Sequence, residues 1–175
     1  MKEETEYSEY FLPELNQYSR EQGQENKEIN DQIYDIIFGN NRKIGENEDY
    51  ICQMIRNDSV IEFIQYINKN NFSLKFKIKA SIFETNSFLI NRTPTMIEYS
   101  AFFGSFQIFQ YLFKNEVEVD SNLWLYAIHG KNPEIIHFLE EIEIEPNIKC
   151  IKESIKFFHN EITEYLFDNY SDKLH

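Results

Sequence analysis

The fold is decided by one pattern that occurs three times: Phe-Gln-Ile-Phe-Gln-Tyr-Leu at residues 106–112, Pro-Glu-Ile-Ile-His-Phe-Leu at 133–139 and Asn-Glu-Ile-Thr-Glu-Tyr-Leu at 160–166. Each version begins 27 residues after the one before it. A small, a β-branched, an aromatic and a leucine column agree at this offset: Ser100, Ala127 and Ser154; Ile108, Ile135 and Ile162; Tyr111, Phe138 and Tyr165; Leu112, Leu139 and Leu166. A constant offset of this kind predicts a repeat architecture, in which short units bury their apolar faces against one another.

Each copy is predicted to contain two short helices around a polar turn. The predicted helices span residues 95–102 and 106–113, 123–128 and 133–140, and 149–156 and 160–168. Thr93-Pro94 offers an N-cap followed by a proline, and Asn132-Pro133 repeats that pattern. Thr95 and Glu98 have the spacing of a capping box. The small residue of the first helix lets the second approach closely, and Ile and Leu four residues apart form one buried stripe.

The chain is predicted to consist of an acidic, polar tail or linker at residues 1–28 and a repeat domain at 29–175. Four isoleucines between residues 29 and 37 recur at helical spacing, which predicts a helix, and Gly39-Asn40-Asn41 is predicted to end it. The repeats of the domain are expected near residues 49–68, 69–92, 93–119, 120–146 and 147–170.

The first two of these repeats are the least regular. The copy at 49–68 precedes the copy at 93–119 by 48 residues. At this offset, the residues that match Ser100, Ile108, Tyr111 and Leu112 are Cys52, Val60, Phe63 and Ile64. The segment 69–92 is predicted to be a degenerate repeat. It has strand-like alternation at Leu74, Phe76 and Ile78, followed by residues that suit a helix at Ala80, Ile82 and Phe83.

Composition favours an all-α protein. Among 175 residues there are 16 Phe and 11 Tyr but only 5 Gly and 4 Pro, which argues against disorder and against turn-rich β architectures. A net charge of -13 repels phosphate backbones and anionic lipids, so neither nucleic acid nor a membrane is an expected partner. Without a recognisable signal peptide or transmembrane segment, the predicted location is cytoplasmic.

Candidate catalytic and metal-binding residues are few. Cys52 and Cys150 lie far apart with no Cys or His cluster around either, so each is predicted to be a buried apolar side chain. The histidines have neither metal-binding nor triad spacing and are predicted to be turn or surface residues: His129, His137, His159 and His175. We therefore expect no catalytic site, no metal and no cofactor.

The repeats resemble ankyrin repeats, whose second half reads roughly Ala-Ala-x-x-Gly-His-x-x-Ile-Val-x-x-Leu-Leu. Residues 100–113 follow that pattern, and His159-Asn160-Glu161-Ile162 matches its central part. Three further segments resemble a divergent ankyrin-like family of unknown function that is expanded in some protists: residues 55–59, 81–86 and 125–136. The resemblance implies a solenoid of helical hairpins that binds proteins, with His159 bonded to neighbouring backbone as a turn histidine.

This chain departs from the ankyrin pattern in three ways. Its period of 27 is shorter than the usual 33, and the Thr-Pro-Leu-His opening is absent from every copy. The turn glycine is present only as Gly104 and is replaced by Lys131 and Phe158. We therefore expect the segments that connect successive hairpins, the fingers, to be short and irregular.

The most suggestive polar feature is acidic and repeated. Two segments between helix pairs supply it, and we call their acidic residues the acidic ridge: Glu116, Glu118, Asp120, Glu141, Glu143 and Glu145. Alternation in a short extended segment would place these carboxylates on one side and Val or Ile on the other. Three interpretations are open: a solvated surface for solubility, a docking surface for a basic protein segment, or a divalent-cation site.

Aromatic residues are predicted mainly to fill the core. Trp124 shares a column with Ile97 and Ile151, so it is expected in the core rather than at a surface hot spot. The pairs Phe102-Phe103 and Phe157-Phe158 must each place one ring awkwardly, and an exposed ring there would be a candidate contact.

The expected function is a non-catalytic protein-interaction module that binds a partner with a basic surface, and a monomer is favoured. One alternative is a structural repeat protein that self-associates through an uncapped end. Another is an enzyme, or a fragment of one, with its site in segment 69–92, where the polar candidates are Lys75, Lys77, Lys79 and Glu84.

Overall fold

The computed structural model describes residues 10, 11, 14, 18 and 29–171. These residues form nine α-helices and no strand, with one isolated antiparallel bridge between Lys77 and Thr95. The all-α prediction is confirmed for them, whereas the predicted tail lies almost wholly outside them. The helices are α1 (Ile29–Ile44), α2 (Tyr50–Arg56), α3 (Val60–Asn70), α4 (Met96–Phe103), α5 (Phe106–Lys114), α6 (Leu123–Gly130), α7 (Pro133–Glu141), α8 (Ile148–Lys156) and α9 (Asn160–Tyr170).

The chain divides into two compact units, of which the first comprises Met1–Asp49 and Lys79–Thr93. Within it, Phe38 of α1 meets Phe83 edge to face, with ring centroids 4.8 Å apart. The Gly45 carbonyl accepts hydrogen bonds from both the backbone N–H and the hydroxyl of Thr85, at 3.0 and 2.8 Å. The Asn47 side chain donates to the Lys79 carbonyl at 2.9 Å.

The predicted end of α1 at residues 39–41 is wrong, because the helix continues to Ile44. A glycine inside a helix costs only about 1 kcal/mol relative to alanine, so it weakens a helix without breaking it. The chain leaves the helical conformation at Gly45, whose φ is 69°. A left-handed glycine of this kind commonly terminates helices.

The second unit, Tyr50–Ile78 with Pro94–His175, is built from four helical hairpins. Each hairpin pairs neighbouring helices: α2 with α3, α4 with α5, α6 with α7, and α8 with α9. The first helices contact one another in the order α2, α4, α6, α8, and the second helices in the order α3, α5, α7. The helices predicted for the three 27-residue copies are confirmed to within two residues at each end.

The turn inside every hairpin has the same backbone conformation. Asp58, Gly104, Lys131 and Phe158 all have positive φ, at 48°, 70°, 50° and 56°. The following N–H groups of Ser59, Ser105 and His159 donate to the carbonyls of Met54, Ser100 and Ser154, respectively. The turn therefore defines the repeat register, even where glycine is replaced.

This register corrects the alignment of the first hairpin. Its turn lies 46 residues before that of the next hairpin, not 48, so Met54 rather than Cys52 occupies the small-residue column. The buried stripe of α3 consists of Phe63 and Ile67, whereas Val60 and Ile64 are only half-buried. The columns predicted for this copy were wrong because α3 has apolar residues on two adjacent faces. Both faces fit the apolar pattern of the repeat, so the sequence alone did not show which one is buried.

The small-residue column lies in the core of the hairpins. Ser100, Ala127 and Ser154 are at most 1% exposed, and the two serines bond carbonyls of their own helices. Successive hairpins also come close at Gly130, where an added Cβ would lie 2.1 Å from the Ala101 carbonyl oxygen. Only glycine fits there.

Two of the predicted helix starts are confirmed and one is wrong. Thr95 and Glu98 form a reciprocal capping box, and the Asn132 side chain caps α7 ahead of Pro133. Thr93 is not an N-cap, because α4 begins only after Thr95. The two hydrogen bonds between Thr95 and Glu98 stabilise a helix start at Thr95. They contribute more than the preference of Pro94 for the first turn of a helix, which would favour a start at Thr93.

The segment 69–92 does not form a helical hairpin. Beyond the end of α3 it consists of turns and extended residues, and Ala80, Ile82 and Phe83 lie outside any helix. Asn86 and Ser81 instead accept hydrogen bonds from the N–H groups two residues ahead of them. Such local side-chain bonds compete with helix formation.

Throughout the described residues, no helix combines the length and the hydropathy that crossing a bilayer requires.

Candidate functional site

All six side chains of the acidic ridge are exposed, as the sequence predicted. The expected extended alternation is wrong, however, at Glu116 and Glu143. These residues follow the ends of α5 and α7 with φ of 59° and 58°, in the left-handed conformation that closes a helix. The next residues point inward, since Val117 is buried and Ile144 is half-buried.

The two closures have the same hydrogen bonds. The N–H groups of Glu116 and Val117 donate to the carbonyls of Phe113 and Leu112, at 3.0 and 3.3 Å. In the next hairpin, Glu143 and Ile144 donate to Glu140 and Leu139 at 2.9 and 3.0 Å. The ridge therefore starts in each hairpin from a backbone geometry that is set by the helix end.

Trp124 anchors residues 141–145, the second segment of the ridge, to the core. As predicted it is a core residue, with 0% of its surface exposed. Its indole Nε1 donates to the Ile144 carbonyl at 2.6 Å. This bond joins the backbone between Glu143 and Glu145 to the interior of the second unit, so the two carboxylates project from an anchored segment.

Three ridge residues have contacts with neighbouring side chains or backbone. Glu118 pairs with Lys75 at 3.0 Å, but both side chains are exposed, and such pairs contribute little. Asp120 accepts a hydrogen bond from the Asn122 N–H at 2.8 Å, and Glu141 lies 3.3 Å from exposed His137. Among the described residues, no three or more His, Cys, Asp or Glu side chains are arranged to hold a metal ion.

A second polar cluster, which the sequence did not predict, joins the last two hairpins. Glu153 of α8 lies 3.4 Å from His129 Nε2, and His129 Nδ1 lies 3.3 Å from His159 Nε2. The His129 side chain is 5% exposed, so its prediction as a turn or surface residue is wrong. We call Glu153, His129 and His159 the histidine cluster.

The position of His159 in its repeat explains this contact. Ser105, Asn132 and His159 each begin the second helix of a hairpin, and each side chain bonds to the preceding hairpin. Ser105 donates to the Ile55 carbonyl, Asn132 donates to the Gly104 carbonyl at 2.8 Å, and His159 meets His129. The predicted bond of His159 to neighbouring backbone is therefore wrong. The 27-residue spacing of Asn132 and His159 was the signal that pointed to a shared role.

Aromatic rings enclose the histidine cluster. Phe102 and Phe157 lie 5.2 and 4.6 Å from the His129 ring, centroid to centroid. Burial, with a smaller contribution from the charge of Lys131, lowers the pKa of His159. A neutral His159 is therefore favoured, and its contact with His129 links the last two hairpins.

The polar candidates of segment 69–92 are divided between the two units. Lys75 and Lys77 belong to the second unit, whereas Lys79 and Glu84 belong to the first. Both cysteines are buried, as predicted. Burial raises the pKa of Cys150 to about 11, which leaves it an unreactive thiol.

Comparison with known proteins adds one match. Residues 113–175 match a model of a domain of unknown function, DUF3447, and this stretch contains the last two hairpins, α6 to α9. No curated protein and no solved structure matches the chain. The matched domain is one of unknown function, so the match indicates no activity.

Proposed function

We propose that this chain is a non-catalytic protein-interaction module, built as a divergent ankyrin-like solenoid of helical hairpins, whose acidic ridge binds a basic segment of a partner protein. One observation carries the proposal. Glu116 and Glu143 occupy the same position in successive hairpins, with the same backbone conformation and with exposed side chains. A repeated array presents such positions as a row, which suits an extended ligand.

The local structure disfavours glutamate at both positions. A left-handed conformation costs a residue other than glycine roughly 1 kcal/mol. A carboxylate just beyond a helix C-terminus also faces the negative end of the helix dipole. A residue present only for solubility could occupy many surface positions that carry neither cost. Residues that lower local stability are expected at functional positions. Glutamate at positions 116 and 143 therefore favours the docking surface over a surface that serves only solubility.

The same features define the ligand. Two helix C-termini and six carboxylates lie along the ridge, so its field attracts Lys and Arg side chains. Because the carboxylates are exposed, this attraction is screened by salt and contributes mainly to the association rate and to the choice of partner. A row of exposed carboxylates from successive hairpins suits a single extended or helical segment.

A random peptide display library, selected against the protein at low salt, tests the proposal. Enriched peptides are expected to be basic, and their binding should fall several-fold when ionic strength is raised to about 0.5 M, where the Debye length is only a few Å. A ridge variant with Glu116, Glu118, Glu143 and Glu145 changed to Lys is expected to lose them. Enrichment of peptides with no charge bias would contradict the proposal.

The chain offers a matched control for this experiment. Four other acidic residues are exposed and can be changed to Lys for the same gain in charge: Glu134, Glu161, Glu164 and Asp168. This control variant should retain the basic peptides. If both variants lose them equally, net charge rather than the ridge is responsible, and the assignment of the site is wrong.

A further inference from the structure

The outward face of α8 differs from the equivalent faces of α4 and α6. Ala101, Ile128 and Ile155 occupy one column of the 27-residue repeat. Ala101 and Ile128 are 0% exposed because α6 packs on α4 and α8 packs on α6. Ile155 is 53% exposed. In the described part of the chain, α8 thus exposes an apolar surface whose counterparts on α4 and α6 are buried by the next hairpin.

The surface extends along the whole helix. Ile148 lies two turns before Ile155 on the same side of α8 and is 40% exposed. Phe158, in the turn that follows, is 84% exposed with a φ of 56°, so it is the exposed ring predicted for its pair. We call these three exposed apolar residues, Ile148, Ile155 and Phe158, the apolar strip.

Lysines border this apolar strip. Lys149, Lys152 and Lys156 are all exposed, and at 100° per residue they fall beside Ile148 and Ile155 on one arc of the helix. The acidic residue of α8, Glu153, is turned towards His129 instead. In a chain with net charge -13, this is a local basic surface. We call these six residues, the apolar strip and the three lysines, the α8 face.

We propose that the α8 face binds an amphipathic helix whose apolar stripe is flanked by acidic side chains. The apolar strip supplies the area to be buried, and the column of Ala101 and Ile128 shows that the fold already packs a helix in this position. The three lysines select the charge of that helix, since acidic flanks are attracted and basic flanks are repelled. This site has the opposite charge preference to the acidic ridge and does not depend on it.

The test uses the full chain and three synthetic helical peptides. One has a leucine stripe flanked by Glu, the second has the same stripe flanked by Lys, and the third has the first composition scrambled. Binding is followed by fluorescence anisotropy. The Glu-flanked peptide is expected to bind about tenfold or more tightly than the other two, and the difference should shrink at high salt.

Two variants and one control locate the binding. Changing Lys149, Lys152 and Lys156 to Glu should invert the preference for the two flanked peptides, and Ile148→Ser with Ile155→Ser should remove binding of both. The control changes Lys69, Lys77 and Lys114, which are also exposed, to Glu and should behave as wild type. All changed side chains are on the surface, so circular dichroism spectra should coincide.

Three outcomes would overturn the proposal. The first is that the wild type binds none of the peptides or all three equally. The second is that the charge-reversed variant keeps the original preference. The third is that sedimentation shows a dimer that Ile148→Ser with Ile155→Ser dissociates, which would assign the α8 face to a second copy of the chain.

Discussion

Gly130 and Lys131 are adjacent residues for which the structure predicts opposite effects of substitution. A methyl group at Gly130 would meet the Ala101 carbonyl oxygen at 2.1 Å and the Gly104 nitrogen at 3.0 Å, and backbone atoms cannot move aside easily. Gly130→Ala should therefore destabilise the second unit by about 3 kcal/mol or more. Lys131 has a φ of 50°, so Lys131→Gly should stabilise it by about 0.5–1 kcal/mol.

Both effects can be measured by urea unfolding with the fluorescence of Trp124, the single tryptophan of the chain, which lies in the core of the second unit. The midpoint should fall for Gly130→Ala and rise for Lys131→Gly. Equal midpoints for the two variants would contradict the hairpin packing described above.

His159 makes the stability of the second unit depend on pH. Its pKa is lowered in the folded state, first by burial and then by Lys131, so between the folded and unfolded values the unfolded chain binds the proton. The stabilisation is therefore complete above the unfolded value of about 6.5 and is lost as pH falls below it. His159→Asn, which copies the residue at Asn132, should make the urea midpoint less sensitive to pH between 7.5 and 5.

The control for this prediction is exposed His137, which pairs with Glu140 and Glu141 of its own helix. His137→Asn should leave the pH dependence of the wild type in place. If His159→Asn has the same pH dependence as the wild type, the histidine cluster does not link the last two hairpins in the way proposed.

At the scale of the element, Asp58 connects two hairpins through a helix start. Its carboxylate accepts hydrogen bonds from the N–H groups of Gln107 and Ile108 at 3.0 Å each, so the turn of the first hairpin caps α5 of the next. Asp58→Ala should cost about 1–2 kcal/mol through the lost cap. Asp58→Asn keeps one acceptor and tolerates the left-handed φ, so it should cost less. Thermal unfolding of both variants checks the order, and equal losses would rule out the cap.

The helices of the second unit could be predicted from sequence because their determinants are local. Apolar residues four apart and the caps at Thr95 and Asn132 lie within a few residues of the helices they define. The end of α1 was misplaced because Gly39 resembles a stop until tertiary structure is known. The register of the first hairpin was misplaced because Asp58 adopts a turn conformation that sequence reasoning assigns to glycine.

The candidate sites were predictable to different degrees. Exposure of the acidic ridge followed from its charge, but the left-handed conformation of Glu116 and Glu143 could not be predicted, since glycine normally occupies that position. The histidine cluster could not be found by motif, because His129 and His159 meet only when successive hairpins stack. The α8 face is likewise visible only in the structure, because the matching residues Ala101 and Ile128 are buried by the next hairpin and Ile155 is exposed.

At the scale of the whole molecule, the second unit combines two surfaces of opposite charge preference. The acidic ridge lies at the ends of α5 and α7, and the α8 face presents three lysines on a chain whose net charge is -13. The two proposals are therefore separable: reversing the ridge should leave binding of an acidic helix intact, and reversing the lysines should leave binding of a basic peptide intact. Anisotropy titrations of both variants with both peptides check this, and loss of both activities in either variant would contradict two independent sites.

The most direct test of the central claim is a two-dimensional ¹H–¹⁵N NMR titration of the protein with the basic peptide most enriched in the display experiment. Chemical-shift changes are expected to be concentrated in the amides of residues 116–120 and 141–145, and the same residues of the ridge variant should show none. Changes confined to other parts of the chain, with these two segments unaffected, would show that the acidic ridge is not the binding surface.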